Sequence, residues 1–492
     1  MVRIAALLSL LATPLAADVA FEDVSANLPH HIYSGGWEHF VGGGVAVFDC
    51  NGDARPDIFA AGGETPALLL VNGGAMQFTP APLPDLTGTT GAYPLDVDGD
   101  GHVDLMVLRV GENVLLRGNG ACGFARANEA WGFDGSNRWS TAFSATWFDG
   151  APVLAVGNYV DRDDPDGPFE ACDTNALYFG TAGGFRREEL SPGFCALSML
   201  FARDASGVLR LRLSNDRHYY VRDGHEQMYD LATRRFLGPK DGWDEVMLWG
   251  MGIASRDITG DGRSEVMLTS MGDQLMQIAG ADGRYTPAPY GLGTYAQRPH
   301  LGDDGRPSTG WHAEFGDLDN DGRPDLFIAK GNVDQMPGNA MEDPNSLLVQ
   351  QPDGTFVEAS VAAGVASLAR SRGAALEDFD GDGRPDLVVV NRRAPMELYR
   401  NVTASTGQWL KVALRAPAPN TRAVGALVTV ETEAGRQVQE VTVGGGHAGG
   451  SETPLHFGLG TMRVADVSVT WPDGAVTTLR GVASGGTVTV SP

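Results

Sequence analysis

The stretch Asp317-Leu318-Asp319-Asn320-Asp321-Gly322-Arg323-Pro324-Asp325 sets four carboxylates at positions 1, 3, 5 and 9 of nine residues. Gathered without a counter-charge, they would repel one another and resist burial. A hard divalent cation resolves both difficulties. Calcium takes about six to eight oxygens at about 2.3–2.6 Å, drawn from carboxylates and backbone carbonyls. On that chemistry Asp317, Asp319 and Asp321 are the first three ligands, the carbonyl of Arg323 is the fourth, and Asp325 closes the shell. Gly322 permits the sharp turn.

The stretch recurs. Asp96, Asp98, Asp100, His102 and Asp104 repeat it in full, as do Asp378, Asp380, Asp382, Arg384 and Asp386. Two copies depart from the pattern: Asp257, Thr259, Asp261, Arg263 and Glu265 in one, and Asp49, Asn51, Asp53, Arg55 and Asp57 in the other, where Ala54 replaces the glycine. One acidic loop alone would read as a solvated turn. Five on one template predict up to five calcium sites, with position 7 contributing its carbonyl. The ligand order is that of an EF-hand, but short apolar runs of strand character, such as Leu326-Phe327-Ile328, stand where helices would flank it.

The elements that must carry these loops follow from their spacing. Their first aspartates fall at 49, 96, 257, 317 and 378, so the gaps are 47, 161, 60 and 61 residues. The long gap holds room for two degraded units, beginning near 150 and 204. Trp147-Phe148-Asp149-Gly150 before Val153–Val156, and Phe201-Ala202-Arg203-Asp204 before Leu209–Leu213, fit those places with the ligands lost. Each good unit has a glycine-rich leading strand (Val41–Phe48, Ser371–Leu376), the loop, a second strand (Asp386–Val390), a third (Ala67–Asn72, Ser346–Gln350) and a fourth (Phe356–Ser360). Seven units of four strands predict an all-β, seven-bladed propeller over 18–405. A linear solenoid is the alternative, and the capping repeats it needs are not evident. The last unit lacks an outer strand, and Phe21-Glu22-Asp23-Val24-Ser25 matches Phe356-Val357-Glu358-Ala359-Ser360, so the N-terminus is expected to close the ring.

The Gly-rich strand followed by D-x-D-x-D-G-x-x-D and a short apolar strand resembles the FG-GAP/VCBS repeat of integrin α-chain propellers. Residues 406–492 resemble the ASPIC/UnbV domain through Gln408-Trp409-Leu410, Gly425-Ala426, Leu455-His456-Phe457-Gly458-Leu459-Gly460 and Val469-Thr470-Trp471-Pro472-Asp473-Gly474. Trp139-Ser140-Thr141, Gly157-Asn158-Tyr159 and Ser214-Asn215-Asp216-Arg217 also look like family signatures. Together these features are similar to the cartilage acidic protein family and its bacterial relatives, and the resemblance implies extracytoplasmic calcium binding and recognition. The departures at Ala54, Thr259 and Glu265 predict weaker calcium affinity at those two loops. By alternation alone the C-terminal region is β, with Leu410, Val412 and Leu414 on one face and Val467, Val469 and Trp471 on another, after a small-residue linker over Val402–Gly407. A small two-sheet core is expected.

With a net charge of −26 and three lysines (Lys240, Lys330, Lys411) among 36 basic residues, nucleic acid and anionic membranes are poor partners. The 66 glycines, about twice the usual ~7% share, suit a turn-rich β architecture. Residues 1–17 read as a signal peptide, with Arg3 before the apolar Ile4–Ala12 and a break after Ala17, and no later run is long enough to span a membrane. Export to the periplasm or beyond follows, as a monomer. The four cysteines make no C-x-x-C pair, and in an exported chain an even count predicts two disulfides. Cys172–Cys195 is the nearer pair, closing a loop worth roughly 3 kcal/mol and restraining the third unit, which has lost its metal loop. Cys50–Cys122 follows by elimination.

Other candidate chemistry is sparse. Asp161, Asp163, Asp164 and Asp166, near Glu170 and Asp173, read either as an irregular cation or recognition loop or as a solvated loop tethered by Cys172. His30, His31 and His447 lie in Gly- or Pro-flanked stretches and read as surface or turn residues. His225-Glu226-Gln227-Met228-Tyr229 lacks the second histidine of a metalloprotease, and no nucleophile elbow, P-loop or dinucleotide fingerprint is present. No catalytic or cofactor-binding residue is assigned. The expected function is recognition of an extracytoplasmic protein or glycan by a calcium-binding propeller. The alternative is a calcium-dependent lyase or hydrolase acting on polysaccharide at the channel.

Overall fold

The computed structural model describes residues 19–216, 223–272, 274–334, 336–404 and 406–492. The proposed signal peptide over 1–17 and Arg217 of the third signature lie outside the described residues. Seven antiparallel four-stranded sheets follow one another along the chain. Blade 1 is Val45–Phe48, Asp57–Ala60, Leu68–Asn72 and Phe78–Ala81, and blade 2 is Thr89–Leu95, Asp104–Glu112, Val114–Gly118 and Phe124–Arg126. Blade 3 is Asn137–Phe148, Ala151–Asn158, Asn175–Thr181 and Gly184–Leu190, and blade 4 is Ala196–Arg203, Leu209–Asn215, Gln227–Asp230 and Arg235–Phe236. Blade 5 is Gly250–Arg256, Glu265–Ser270, Leu275–Ala279 and Tyr285–Pro287, and blade 6 is Gly310–Gly316, Asp325–Lys330, Ser346–Gln350 and Phe356–Glu358. Blade 7 is Arg370–Glu377, Asp386–Arg392 and Glu397–Asn401, completed by Phe21–Asp23. Asn137–Trp139 also pairs with Val110–Glu112, which bridges blades 2 and 3. Each inner strand packs on the next, and that of blade 7 on that of blade 1, so the ring is closed. The inner strands of blades 1 and 2 are buried end to end and those of the other blades along most of their length, whereas an outer strand such as Phe78–Ala81 is mostly open to solvent.

Both degraded units are present as full blades. In blade 3 a two-residue turn, Asp149 (φ 51°) and Gly150 (φ 77°), replaces the acidic loop, and these positive angles suit the twist of a tight hairpin. In blade 4 the chain turns over Asp204–Val208.

The N-terminus closes the ring. Phe21, Glu22 and Asp23 pair with Asn401, Arg400 and Tyr399. The repeated F-x-[DE]-x-S pattern has a hydrogen-bonding purpose. Leu398 N–H donates to Ser25 Oγ at 3.0 Å, and that hydroxyl donates to Asp23 Oδ1 at 2.5 Å. In blade 6, Leu347 N–H donates to Ser360 Oγ at 2.5 Å, and Ser360 Oγ donates to Glu358. In both blades the serine completes the third strand's ladder beyond the end of the fourth.

Both disulfides form, and both join neighbouring blades. Cys50, in the loop of blade 1, bonds Cys122 between the outer strands of blade 2. Cys172, after the second strand of blade 3, bonds Cys195 just before blade 4. The expectation that Cys172–Cys195 restrains the third unit is thereby sharpened, since the bond staples that unit to its neighbour.

The C-terminal region packs a three-stranded sheet (Leu455–Gly460, Gln408–Leu414, Gly486–Val490) on a four-stranded one (Gly435–Glu440, Leu427–Thr432, Val464–Thr470, Val476–Ala483). Leu410, Val412, Leu414, Val467, Val469 and Trp471 all lie in the core between them. The segment between Gly435–Glu440 and Leu455–Gly460 leaves this domain and runs down the channel of the ring. Val443 O accepts from Ala145 N–H, Gly445 N–H donates to Met199 O, and Gly446 N–H donates to Ile253 O. His447 N–H donates to His312 Nδ1, Tyr93 Oη donates to Gly445 O, and Ser451–Glu452 runs parallel to Val47–Phe48. Blades 1 to 6 therefore all bond this one loop. Its approach leaves no room for side chains: a Cβ on Gly44 would stand 1.8 Å from Ala448 O, and one on Gly91 1.7 Å from it.

This corrects the reading of two histidines. His447 is fully buried on the channel axis, where Nε2 accepts from Gly42 N–H at 3.2 Å. Burial, and then the neighbouring Arg372, push its pKa down to about 3. His31 is also buried, with Nε2 bonded to Ala61 O. The flanking glycines at 444–446 admit close backbone packing rather than a surface turn.

Deleting residues 18–26 should destabilise the ring by at least about 2 kcal/mol, the scale of one lost buried apolar side chain and its hydrogen bonds. Val19, Phe21 and Val24 all pack into blade cores. A truncated chain with an unchanged denaturation midpoint would show that the ring closes without this strand.

Candidate metal centres and the domain that covers them

All five acidic loops join the first strand of a blade to its second, so they emerge on one face of the ring. Each is organised by its first and last carboxylates. The first aspartate accepts from the amide at position 6: Gly101 N–H to Asp96 Oδ2 at 2.8 Å, Gly262 to Asp257 at 2.8 Å, Gly322 to Asp317 at 2.8 Å and Gly383 to Asp378 at 2.9 Å. In blade 1, Ala54 N–H makes the same bond to Asp49 Oδ2 at 2.8 Å. Position 6 takes φ between 86° and 92° where it is glycine, and Ala54 is held at 64°.

The ninth residue faces inward and holds the blade together. Asp104 accepts Val97 N–H on one oxygen (2.8 Å) and Gly118 N–H of the third strand on the other (2.9 Å). Asp57, Asp325 and Asp386 do the same with Cys50 and Asn72, Leu318 and Gln350, and Phe379 and Asn401. The carbonyl at position 2 reaches the next blade: Asn72 Nδ2 donates to Phe379 O (2.9 Å), Asn401 Nδ2 to Leu318 O (2.9 Å) and Gln350 Nε2 to Ile258 O (3.0 Å).

The structure brings three sets of carboxylates together: Asp96, Asp98 and Asp104; Asp317, Asp319 and Asp321; and Asp378, Asp380 and Asp386. In each set the oxygens lie within 4.8 Å of one another. These are the three loops that match the template in full. Among the described residues the loops opening at Asp49 and Asp257 present no such carboxylate group. Near Asp57 the adjoining sulfurs of Cys50 and Cys122 are committed to their disulfide, and Thr259 points to solvent. Several position-5 carboxylates are drawn aside by arginines: Asp321 pairs with Arg323, Asp382 with Arg384, and Asp261 with Arg263. Asp53 pairs with Arg55 at 3.1 Å, Asp98 and Asp100 pair with Arg117 at 2.9 Å each, and Asp380 pairs with Arg400 at 2.7 Å.

Burial raises the proton affinity of these acids. Asp57 is pushed up to about 6, Asp104 to about 7, Glu265 to about 7 and Asp386 to about 8, each by loss of solvent first and by neighbouring aspartates as well. Asp317 and Asp325 are raised well above the carboxylate range for the same reasons. Oxygen-only donors of excess negative charge, in a loop whose amides already fix its shape, fit a hard cation.

The C-terminal domain sits on this face. Thr421 Oγ1 donates to Asp96 Oδ2, Arg422 Nη2 to Gly101 O (3.0 Å), Gly407 N–H to Asp319 O (2.8 Å) and Gly460 N–H to Asn320 O (2.8 Å). His456 Nε2 and Asn320 Oδ1 are 2.6 Å apart, and Lys411 Nζ lies 3.0 Å from Asp378 Oδ2. A cavity of about 690 Å³ remains around the root of the channel loop, walled in part by Arg256, Glu314, Lys411, Glu440 and Glu452. None of these covering residues was assigned from the sequence. Only the presence of Lys411, one of three lysines in an acidic chain, could have drawn attention there.

Ala54→Gly should stabilise the chain by about 0.5–1 kcal/mol, because it removes the left-handed strain of a residue with a Cβ while retaining the turn. A denaturant midpoint that falls on this substitution would contradict the shared geometry of the five loops.

Comparison with known proteins agrees with this geometry. The FG-GAP-like repeat model matches residues 49–107, 257–328 and 317–389, the regions holding the five loops, and passes over blades 3 and 4. The ASPIC and UnbV model matches residues 416–492. Cartilage acidic protein 1 of Homo sapiens is 30% identical over 177 residues, 34% of this chain and 26% of that protein. Its Xenopus tropicalis counterpart is 34% identical over 124 residues, 24% of this chain and 18% of that one. The matches thus span about a quarter or less of those relatives. Among solved structures, YCF48 bound to a D1 peptide aligns over 79% of this chain and 99% of its own, at 10% identity and a TM-score of 0.45. The chain carries FG-GAP-like repeats and, over residues 416–492, an ASPIC and UnbV domain.

Proposed function

We propose that this protein is an exported, calcium-stabilised recognition module that binds a protein or glycan partner through the face of the ring opposite its C-terminal domain. The observation that carries this reading is the occupation of the other surfaces: the C-terminal domain covers the loop face, and its Val443–Glu452 segment fills the channel. The free face is built from the loops after the second and fourth strands of each blade. Among the described residues, every exposed large aromatic side chain lies in one of these connections: Trp37 (50% exposed), Phe169 (62%), Trp249 (44%) and Tyr290 (81%). Exposed aromatic groups with polar rims are the usual anchors of recognition surfaces. The acidic loop holding Asp161, Asp163, Asp164 and Asp166 lies on the same face, tethered by Cys172–Cys195 and by the pairing of Arg162 with Glu38 beside Trp37.

Calcium is proposed for the loops opening at Asp96, Asp317 and Asp378, with weaker sites at Asp49 and Asp257. When bound, it would supply the positive charge these carboxylates need. Two disulfides suit an oxidising compartment, the periplasm or the cell exterior. No helix among the described residues is long and apolar enough to cross a membrane. The reading as an enzyme acting at the channel is less favoured, because the channel axis is taken up by the protein's own chain.

Binding to extracellular-fraction proteins and to a glycan array should be lost in the Phe169→Ala/Tyr290→Ala double variant while its melting temperature stays at the wild-type value. Equal binding by this variant, or by the isolated C-terminal domain, would move the recognition surface elsewhere.

A further inference from the structure

The three complete loops meet the covering domain in three different ways. The first aspartate of each presents Oδ2 toward that domain. Asp96 Oδ2 meets the neutral hydroxyl of Thr421. Asp317 Oδ2 faces Gly458, where a Cβ would come within 1.9 Å. Asp378 Oδ2 meets an ammonium: Lys411 Nζ lies 3.0 Å away, and 3.4 Å from Glu377 Oε1. Lys411 stands on the strand Gln408–Leu414, cross-strand from His456, and is almost fully buried at this contact. The seventh loop is further crowded by Arg400 on Asp380 and Arg384 on Asp382. Among the described residues, three cationic side chains thus pair with one loop, whereas Arg117 alone pairs with the carboxylates of the second and Arg323 alone with those of the sixth.

We propose that Lys411 is a built-in competitor for the cation of the seventh loop, so that calcium entering at Asp378 and the seating of the C-terminal domain on that loop oppose one another. This rests on the calcium reading given above. A unit charge within about 4–6 Å changes a carboxylate's proton affinity by about one to three powers of ten, and a doubly charged ion feels the same charge at least as strongly. The seventh loop is therefore the weakest of the three complete sites although its ligand sequence is intact. Because coupling between two binding events is reciprocal, filling that loop loosens the strand that carries Lys411. At the second and sixth loops this oxygen meets a hydroxyl and a glycine, and buried Arg256 acts on Asp317 only from beyond ion-pair distance, so their penalty is smaller and their occupancy leaves the domain seated. The arrangement makes the junction sensitive to calcium at a concentration above that which fills the other two loops.

Calorimetric titration of the full-length chain with calcium tests this. Lys411→Met keeps the aliphatic stem and removes the charge, and should tighten the weakest of the complete sites at least tenfold. Lys411→Arg should leave it as in the wild type. Asp378→Asn should abolish that site in both the wild-type and Lys411→Met backgrounds. Unchanged affinities in Lys411→Met, with Asp378→Asn still removing one site, would overturn the competition and leave the calcium reading standing. No calcium uptake by any variant would overturn both. Hydrogen exchange on the wild-type chain gives a second reading that does not depend on the variants folding. Amides of Gln408–Leu414 should exchange faster as the last complete site fills, and protection that stays level or rises would contradict the proposal.

Discussion

In four of the five acidic loops the carboxylate at position 9 has both oxygens engaged by backbone amides, one from the loop itself and one from the third strand of the blade, while Glu265 of the fifth blade accepts only Ile258 N–H. Asp104, Asp325 and Asp386 are all almost fully buried while doing so. The carbonyl at position 2 then accepts a side-chain amide from the following blade, as Phe379 O does from Asn72 and Leu318 O from Asn401. The loop is thus the place where a blade's hairpin, its third strand and its neighbour are fastened together. Its acidity follows from that position. The carboxylates that fasten the blade also crowd against Asp96, Asp317 and Asp378, and burial without a cation leaves them costly to ionise.

Blades 3 and 4 show what replaces such a fastening. One is turned by Asp149-Gly150 and joined to the next by Cys172–Cys195, and the other turns over a short loop that keeps Asp204 but no metal template. At the closure of the ring, Phe21–Asp23 supplies the outer strand of blade 7, so blades are held by acidic loops, a disulfide or a chain end according to position. The C-terminal domain then converts ring and cap into one body. It rests on the loops from outside and bonds the inner strands from within, by a loop so closely packed that glycine is needed on the ring side at Gly44 and Gly91.

The sevenfold plan was readable because the loop template recurs at intervals near a common value, and because Asp149 and Asp204 persist where the ligands are gone. Ring closure was readable from Phe21-Glu22-Asp23-Val24-Ser25, since the serine's hydrogen bonds repeat in blade 6. The channel loop was not. Gly444-Gly445-Gly446-His447 has the composition of a surface turn, and its burial depends on strands some hundreds of residues away, which local pattern does not register. The glycines of the leading strands are plain in the sequence, but their cause, the approach of Ala448, lies in another domain. Lys411 was likewise legible as rare and not as a neighbour of Asp378. The turn expected at position 6 repeats in every loop, where its amide meets the first aspartate. At position 5, Asp321 and Asp382 pair with arginines of the same blade, which the spacing of acids does not register.

The central claim is that these buried carboxylates require a cation, and the pH dependence of stability with and without calcium tests it most directly. Without metal, Asp57, Asp104 and Asp386 hold their protons to about 6, 7 and 8 in the folded chain, against about 3.9 when unfolded. The folded state then binds more protons at these groups across that interval, so the stability they contribute is full below about pH 4 and is lost as pH rises through about 8. In excess chelator the melting temperature should therefore fall between about pH 5 and 8. With saturating calcium that fall should vanish or reverse, since the ion takes the place of the protons. Parallel curves in chelator and calcium, with metal content confirmed by elemental analysis, would contradict the account.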